Sequence, residues 1–465
     1  FAEYAQSLAS FTPEWAEEIS GVPAEDIRRA ARMYATAQSA AIYWGMGISQ
    51  STHGTDNALS LVNLALLTGH IGRPGTGLNP LRGQNNVQGC SDSGGLPNVY
   101  TAYQRVDDPA VRAQFEQTWR TALSSDPGLT VTEMMDAALT GAIRAMVVLG
   151  EDPLMSEPNI DHARHALEAL DFMVCIDILP NRTTDYAHVI LPAASFAEKD
   201  GTFTNSDRRV QRVRRALPLA GQSRLDWQII CDLARRMETE LGIDTSAGFD
   251  YSDAEAIWEE MRRVTPDFFG ITYERLEREG GVHWPCPALD HPGTPYLFAE
   301  DFPRGKGKFW ALDYGTESEL PDDEYPYHLT TGRVLFHWHG GALTRRSKLD
   351  DIFPEPVLEI HPDDAQALDI ATGDWIEATS RRGRIVCRAL VTGRSPAGTV
   401  FLPFHFAEAA ANLLTWEKVD PRAKIPDFKM TAVRLSKTEA PAARAGADTP
   451  LLERGAIKDP TQHIH

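Results

Sequence analysis

The residues best suited to chemistry lie in three places. The stretch 72–98, GRPGTGLNPLRGQNNVQGCSDSGGLPN, is rich in Gly, Pro, Asn and Gln and nearly empty of large apolar side chains. Its central part carries one cation, Arg82, among amides. Long loops inside globular chains are commonly functional, and disorder would favour Glu, Lys and Ser instead. A guanidinium among amides suits the lining of a polar cavity; an ordinary surface loop is the plainer alternative. Asp152 and Asp177 follow or end the apolar runs GAIRAMVVLG (141–150) and DFMVCIDILP (171–180). A carboxylate there can accept paired hydrogen bonds from a ribose diol or a guanine N1–H and amino group, although strand-end acids also form turns. His337 and His339 alternate in a His-Trp-His segment and could merely straddle a barrel wall.

The elements that would position these residues follow an α/β pattern. Thr12-Pro13 predicts a capped helix stopped by Gly21, and Pro23 opens another with Ile27, Ala31 and Tyr34 on one face. AAIYWGMG (40–47) predicts a buried strand, followed by a helix over about 55–68 that ends at Gly69. The runs at 141–150, 171–180 and 185–192, with helical sequence between the first two, predict a parallel sheet. From about 325 short β-rich runs at turn-marked intervals predict a closed or nearly closed barrel. The chain enters helical sequence directly from Phe1, without a Met, which predicts a fragment of something longer.

Length and composition set the outer limits. At 465 residues about three domains are expected, and 42% hydrophobic with 24% charged residues is globular composition. A net charge of −20 repels phosphate backbones and argues against a nucleic-acid partner. Apolar runs such as 142–150 fall short of the roughly 20 residues of a membrane helix, so no membrane insertion is expected. The five cysteines are scattered, without CxxC, which points to reduced thiols, a cytoplasmic location and no iron–sulfur cluster held by this stretch. GMGISQ (45–50) lacks the third glycine of a dinucleotide fingerprint, and no P-loop is present.

Seven motifs carry a resemblance over about residues 1–435: WGMGISQ (44–50), LLTGHIGRPGTGLNPLRGQNNVQG (66–89), GEDPL (150–154), LPAASFAEKDGTFTNSDRRVQ (191–211), LDWQII (225–230), TGRVLFHWHGGALTRRS (331–347) and KIPDFKMTAVRL (424–435). In this order they resemble the C-terminal part of the catalytic alpha subunit of molybdenum- or tungsten-dependent formate dehydrogenases, in the dimethyl-sulfoxide-reductase superfamily. The resemblance implies parallel-sheet α/β domains of the molybdopterin oxidoreductase type and a C-terminal double-psi β-barrel. Residues 1–84 would be the remainder of one α/β domain, 85–320 a second cofactor-binding region, 321–436 the dinucleotide-binding barrel and 437–465 an extended tail.

It also implies a metal, Mo or W, between two molybdopterin guanine dinucleotides. The positions matching family cofactor contacts are Met46, Gln50, Gly83, Asp152, Ser156, Asp177, Asp226, Arg333, His337, His339, Phe428 and Lys429. Two dinucleotides bring four phosphates and two guanines, which call for cations, carboxylates and peptide donors. In the family the arginine matching Arg82 orients formate, with Gln84 as a second polar contact. An arginine fork can grip a planar carboxylate by two parallel bonds, whereas an ion pair with Asp92 is its plainer alternative. RRVQRVRR (208–215) reads as a solvated strand or subunit contact rather than a phosphate site.

The implied activity is reversible oxidation of formate to carbon dioxide. Electrons would pass through iron–sulfur clusters to iron–sulfur and flavin partner subunits carrying FMN and reducing NAD. The family's cysteine or selenocysteine ligand, the histidine after it and the cluster cysteines lie upstream of the matched part; Cys90 does not fit the ligand's place. Two departures are local: HGGAL (339–343) replaces a more usual His-Thr-Gly-Ser-Met run, and His188 stands where Asp is frequent. Two other functions compete. A nitrate reductase or similar oxo-transferase is disfavoured by RGQNNVQG, and a metal-free subunit like that of respiratory complex I by Arg82 and the His-Trp-His segment.

Overall fold

The computed structural model describes residues 1–242, 248–315 and 319–441, so residues 442–465 of the expected tail lie outside the described residues. Local signals act early in the chain. Thr12 accepts a hydrogen bond from the Trp15 amide at 3.2 Å, and Gly21 closes helix Pro13–Ser20 at φ 71°. Helix Ala24–Thr36 forms after Pro23 as expected; on the face of Ile27, Ala31 and Tyr34, Ile27 and Tyr34 are half-buried and Ala31 is exposed. The strand expected at 40–47 is Ala41–Trp44, paired in parallel with Gly77–Pro80. It is less buried than expected, with Tyr43 66% exposed, because these two strands form a sheet of their own. Helix Gly54–Thr68 ends, as expected, at Gly69. The polar stretch 72–98 is more ordered than a plain loop, since it contains strand Gly77–Pro80 and helix Val87–Asp92.

The three runs expected to form a parallel sheet do so as Ala145–Leu149, Phe172–Asp177 and Val189–Pro192, in that order. Helices Val131–Leu139 and Ile160–Glu168 cover one face, packing Met135, Ala163 and Leu167 on Val148, Met173 and Cys175. Ile229 of helix Asp226–Leu241 covers the other beneath Val174 and Ile176. Arg209–Val213 is the middle strand of an antiparallel sheet with Gly201–Thr204 and Val282–His283. Arg212 on it and Arg214 just after it pair with Glu277, but the strand is less solvated than expected: none of its residues is exposed, and Arg212 lies over the Tyr273 ring.

The C-terminal runs close into a barrel of six strands in the order Val357–Ile360, Arg384–Val391, Trp375–Thr379, Thr431–Lys437, Tyr327–Gly332 and Thr399–Pro403. Alternation decides which side chains point inward. Ile376 and Ala378 on one strand and Ile385, Cys387 and Ala389 on its neighbour are buried, with more exposed residues between. No helix among the described residues is long and apolar enough to cross a membrane.

Three clasps hold the α/β part to the barrel side. Asp420 accepts from the Thr55 amide (3.0 Å) and hydroxyl (2.7 Å) at the start of helix Gly54–Thr68. The Asn412 amide donates to the carbonyls of Met155 (3.1 Å) and Ser156 (3.2 Å). Arg346 donates to the Pro180 carbonyl at 2.6 Å. Within the barrel region, His405 fastens the connection after strand Tyr327–Gly332. Its Nε2 accepts from the Val334 amide at 3.0 Å, which leaves Nδ1 to donate to the His339 carbonyl.

Only a neutral imidazole can make both bonds, and burial pushes the His405 pKa down to about 4 against the opposing pull of the His339 carbonyl. The folded value lies below the ordinary 6.5, so the unfolded chain takes the proton first as pH falls. Stability held by this clasp is complete above pH 6.5 and is lost as pH falls toward about 4. A His405→Phe chain should melt lower at pH 7, yet lose less over that acid range than the natural chain. Equal acid slopes in thermal melts would contradict a neutral clasp.

Candidate functional site

The Arg82 loop is held from two sides. The Leu81 amide donates to the Trp44 carbonyl at 2.7 Å, continuing the strand pairing, and the Arg82 amide donates to Ser206 Oγ at 3.3 Å. Asn86 takes a left-handed conformation (φ 62°) that asparagine tolerates, and its Oδ1 accepts from the Thr204 amide at 2.9 Å. The loop therefore lies between the end of strand Ala41–Trp44 and the hairpin at 201–213.

Arg82 itself differs from the expected picture of a side chain at the floor of a hollow. The residue is exposed, and only its Nε is engaged, donating to Gln88 Oε1 at 3.2 Å. Neither terminal nitrogen of the guanidinium has a partner among the described residues. The neighbouring amide is Gln88, 8% exposed, and not Gln84, which is exposed and makes no side-chain hydrogen bond. Helix Val87–Asp92 explains the exchange, because it turns Gln88 inward beneath Arg82. Asp92 makes no ion pair with Arg82; it is bonded to Gln88 and Trp284.

Gly83 is where the loop meets the barrel side. A methyl group at this position would come within 2.7 Å of His339 Cε1 and 3.2 Å of Arg333 Nη2, so a larger residue would have to displace the ends of these two side chains. His339 Nε2 is buried without a hydrogen-bond partner. Burial, then the charge of Arg333, lowers the His339 pKa. Lys429 lies close by and donates to the Thr331 carbonyl at 2.6 Å. Burial and then Arg333 push its pKa down to about 8, against a pull from Asp427. Phe428 contributes its carbonyl to the Thr331 hydroxyl at 2.8 Å. His337 departs from its expected role: it is 4% exposed, bonded to the Phe353 carbonyl (2.6 Å) and packed against Phe406, so it belongs to the core.

The strand-end acids form a second cluster. Asp152 Oδ1 accepts from the Thr183 amide (3.1 Å) and hydroxyl (2.7 Å). Asp177 caps its own turn, accepting from the Ile178 amide (2.6 Å) and Asn181 (2.9 Å). Burial raises both carboxyl pKa values. Arg346 faces the pair; burial lowers its pKa while Asp152 and Asp177 pull it up. Ser156 is exposed and tied through its carbonyl to Asn412. Met46 and Gln50 sit half-buried after strand Ala41–Trp44, at the end from which Arg82 emerges. Asp226 is engaged by Lys199 in an ion pair rather than left open.

These residues fit a phosphate-rich dinucleotide. Arg333 and Lys429 raise local positive potential, and the exposed guanidinium of Arg333, lying over the Trp338 ring, can still donate to an anion. The reading of the sequence missed Arg346, His405 and Gln88. Arg346 was legible only as one of two cations in TRRS, and His405 lies in an apolar run that gives no hint of its clasp.

Comparison with known proteins gives the family. The molybdopterin oxidoreductase model matches residues 29–236, and the molybdopterin dinucleotide-binding domain model matches 327–432. The chain is 44% identical over 441 residues to the F420-dependent formate dehydrogenase 1 subunit alpha of Methanococcus maripaludis, covering 94% of this chain and 64% of that protein. It is 38% identical over 442 residues to formate dehydrogenase H of Escherichia coli, covering 94% of this chain and 61% of that protein. Acetylene hydratase from Pelobacter acetylenicus shares the fold, with a TM-score of 0.68 at 18% identity over 92% of this chain and 64% of the other. The chain spans less than two thirds of the length of these relatives. With its parallel sheet, its closed barrel and both matches in order, this chain carries a molybdopterin oxidoreductase domain and a molybdopterin dinucleotide-binding domain, and most of its length is similar to formate dehydrogenase alpha subunits.

Proposed function

We propose that this chain forms part of an enzyme that oxidises formate to carbon dioxide, a two-electron step that also releases one proton. The observation that carries the reading is the guanidinium of Arg82, with both terminal nitrogens unpartnered and Gly83 pressed against the barrel histidine. Two parallel N–H donors match the two oxygens of formate, and a fixed fork holds a small anion in one orientation. Arg333, His339 and Lys429, with Gly83 giving them room, hold one dinucleotide's phosphates. Met46, Gln50 and Phe428 line its neighbourhood. Asp152, Ser156 and Asp177, with Arg346 above them, receive a nucleoside end. Asp226 acts through its pair with Lys199.

When bound, a bis(molybdopterin guanine dinucleotide) centre with molybdenum or tungsten supplies the two-electron acceptor. The chain's own contribution is to bind formate, orient it and neutralise cofactor charge. Electrons then leave by iron–sulfur and flavin partner chains in the cytoplasm. Sequence reading placed NAD at the end of that route, but two archaeal relatives are F420-dependent by name. We assign the choice of acceptor to partner chains, since this chain carries no nicotinamide fingerprint.

Replacing Arg82 by Ala should lower kcat/KM for formate at least about a hundredfold in the holoenzyme with cofactor content near normal. Arg82→Lys should recover little, because an ammonium keeps the charge without the fork. Unchanged formate kinetics in either would refute the assignment. A Lys429→Met chain should release cofactor more readily, read as molybdenum or tungsten and guanine nucleotide per chain. The same chain without cofactor should melt higher at pH 7. The folded pKa near 8 lies below the ordinary 10.5, so a protonated Lys429 costs stability fully below pH 8 and not above 10.5.

A further inference from the structure

The contact beneath Arg82 continues inward as a chain of hydrogen bonds. Gln88 Oε1 accepts from Arg82 Nε at 3.2 Å, and Gln88 Nε2 donates to Asp92 Oδ1 at 2.6 Å. Trp284 Nε1 donates to the other oxygen, Asp92 Oδ2, at 2.7 Å. The Tyr103 hydroxyl lies 3.2 Å from Gln88 Nε2. Asp92 is 2% exposed, so its carboxylate is inside the protein, where it serves Gln88, Trp284 and the Tyr103 hydroxyl. The backbone bends to make this possible: Ala102 and Tyr103 both adopt left-handed conformations, at φ 50° and 60°. Strained non-glycine residues of this kind persist where the surroundings hold them in place, and they gather at functional sites.

The direction of every bond follows from one group. A carboxylate only accepts, so Asp92 draws the NH2 end of Gln88 toward itself and turns the amide oxygen out toward Arg82. That oxygen occupies Nε, which removes the side-on edge of the guanidinium from use. The remaining bidentate edge is Nη1 with Nη2, both of which lack a partner among the described residues.

We propose that Gln88 and Asp92 are positioning residues that lock Arg82 so that it grips formate end-on, through Nη1 and Nη2. The inference rests on the formate reading given above. It makes buried Asp92 a determinant of formate affinity although it touches no substrate.

The test uses the intact holoenzyme. In Asp92→Asn a single amide oxygen faces the donors of Gln88, Trp284 and Tyr103, and Gln88 is free to turn over. Formate KM, and formate Kd by equilibrium titration of the resting enzyme, should rise about tenfold while kcat changes by less than about twofold. The double variant Gln88→Glu with Asp92→Asn moves the carboxylate one step outward. The acid at 88 then accepts from both Arg82 and the new amide at 92, whose oxygen serves Trp284. Formate KM should return to within about threefold of the natural value.

A purely structural Asp92 predicts that the second substitution adds damage, so a double variant no better than the single one overturns the proposal. An unchanged formate KM and Kd in a folded Asp92→Asn enzyme overturns it too. Should Asp92→Asn fail to fold, Gln88→Met cuts the same link; a raised formate KM at natural melting temperature supports the proposal, and an unchanged one overturns it. If the natural holoenzyme neither binds nor oxidises formate, the formate reading fails, and this inference with it.

Discussion

The close approach of the Arg82 loop to the barrel side is the constraint from which the site's geometry follows. At Gly83 the backbone runs so near the ends of the His339 and Arg333 side chains that an added methyl group would displace them. Two regions far apart in sequence thereby share one surface, with the guanidinium of Arg82 on one side of the seam and the cations of Arg333 and Lys429 on the other. Each side is braced independently. Ser206 and Asn86 tie the loop to a hairpin, while His405 fixes the segment that carries His339. A side chain at position 83 would have to push the His339 ring and the Arg333 guanidinium aside, disturbing the surface they share with Arg82.

The electrostatics of the site run against those of the molecule. A chain with a net charge of −20 concentrates positive groups where phosphates and a carboxylate would lie. Like charges packed together in partial burial are unfavourable by themselves, as the lowered pKa of Lys429 records. Such an arrangement favours an anion, since an incoming phosphate relieves the repulsion as well as adding its own attraction. The strand-end acids have the opposite character. Asp152 and Asp177 are half-buried, and burial raises their pKa values despite Arg182 and Arg346 close by, a setting suited to hydrogen-bonding a neutral base or diol.

Much of the fold was legible because it depends on local signals with one physical meaning. The cap at Thr12, the stop at Gly69, the three parallel strands and the alternation in the barrel all stand where the residues place them. Burial was less legible. Ile27, Ala31 and Tyr34 make an apolar stripe, but a stripe does not say whether another element covers it. Within the site, residue type and motif order located Arg82 and Gly83, yet nothing local reveals which amide the guanidinium will meet. Gln84 is adjacent in sequence, whereas Gln88 is adjacent in space because a short helix intervenes. His337 and His339 look equivalent in the sequence; packing against Phe353 and Phe406 takes one into the core and leaves the other with an unpaired nitrogen.

The clasp between Thr55 and Asp420 joins residues 365 positions apart. During synthesis helix Gly54–Thr68 leaves the ribosome long before that carboxylate exists, and contacts of such separation form late in a growing chain. Arg82 must then wait for Arg333 and Lys429 in the same way. A nascent polypeptide therefore cannot bring the Arg82 loop against Arg333 and Lys429 until the barrel strands have been translated, so the seam between them closes late, as a consequence of topology.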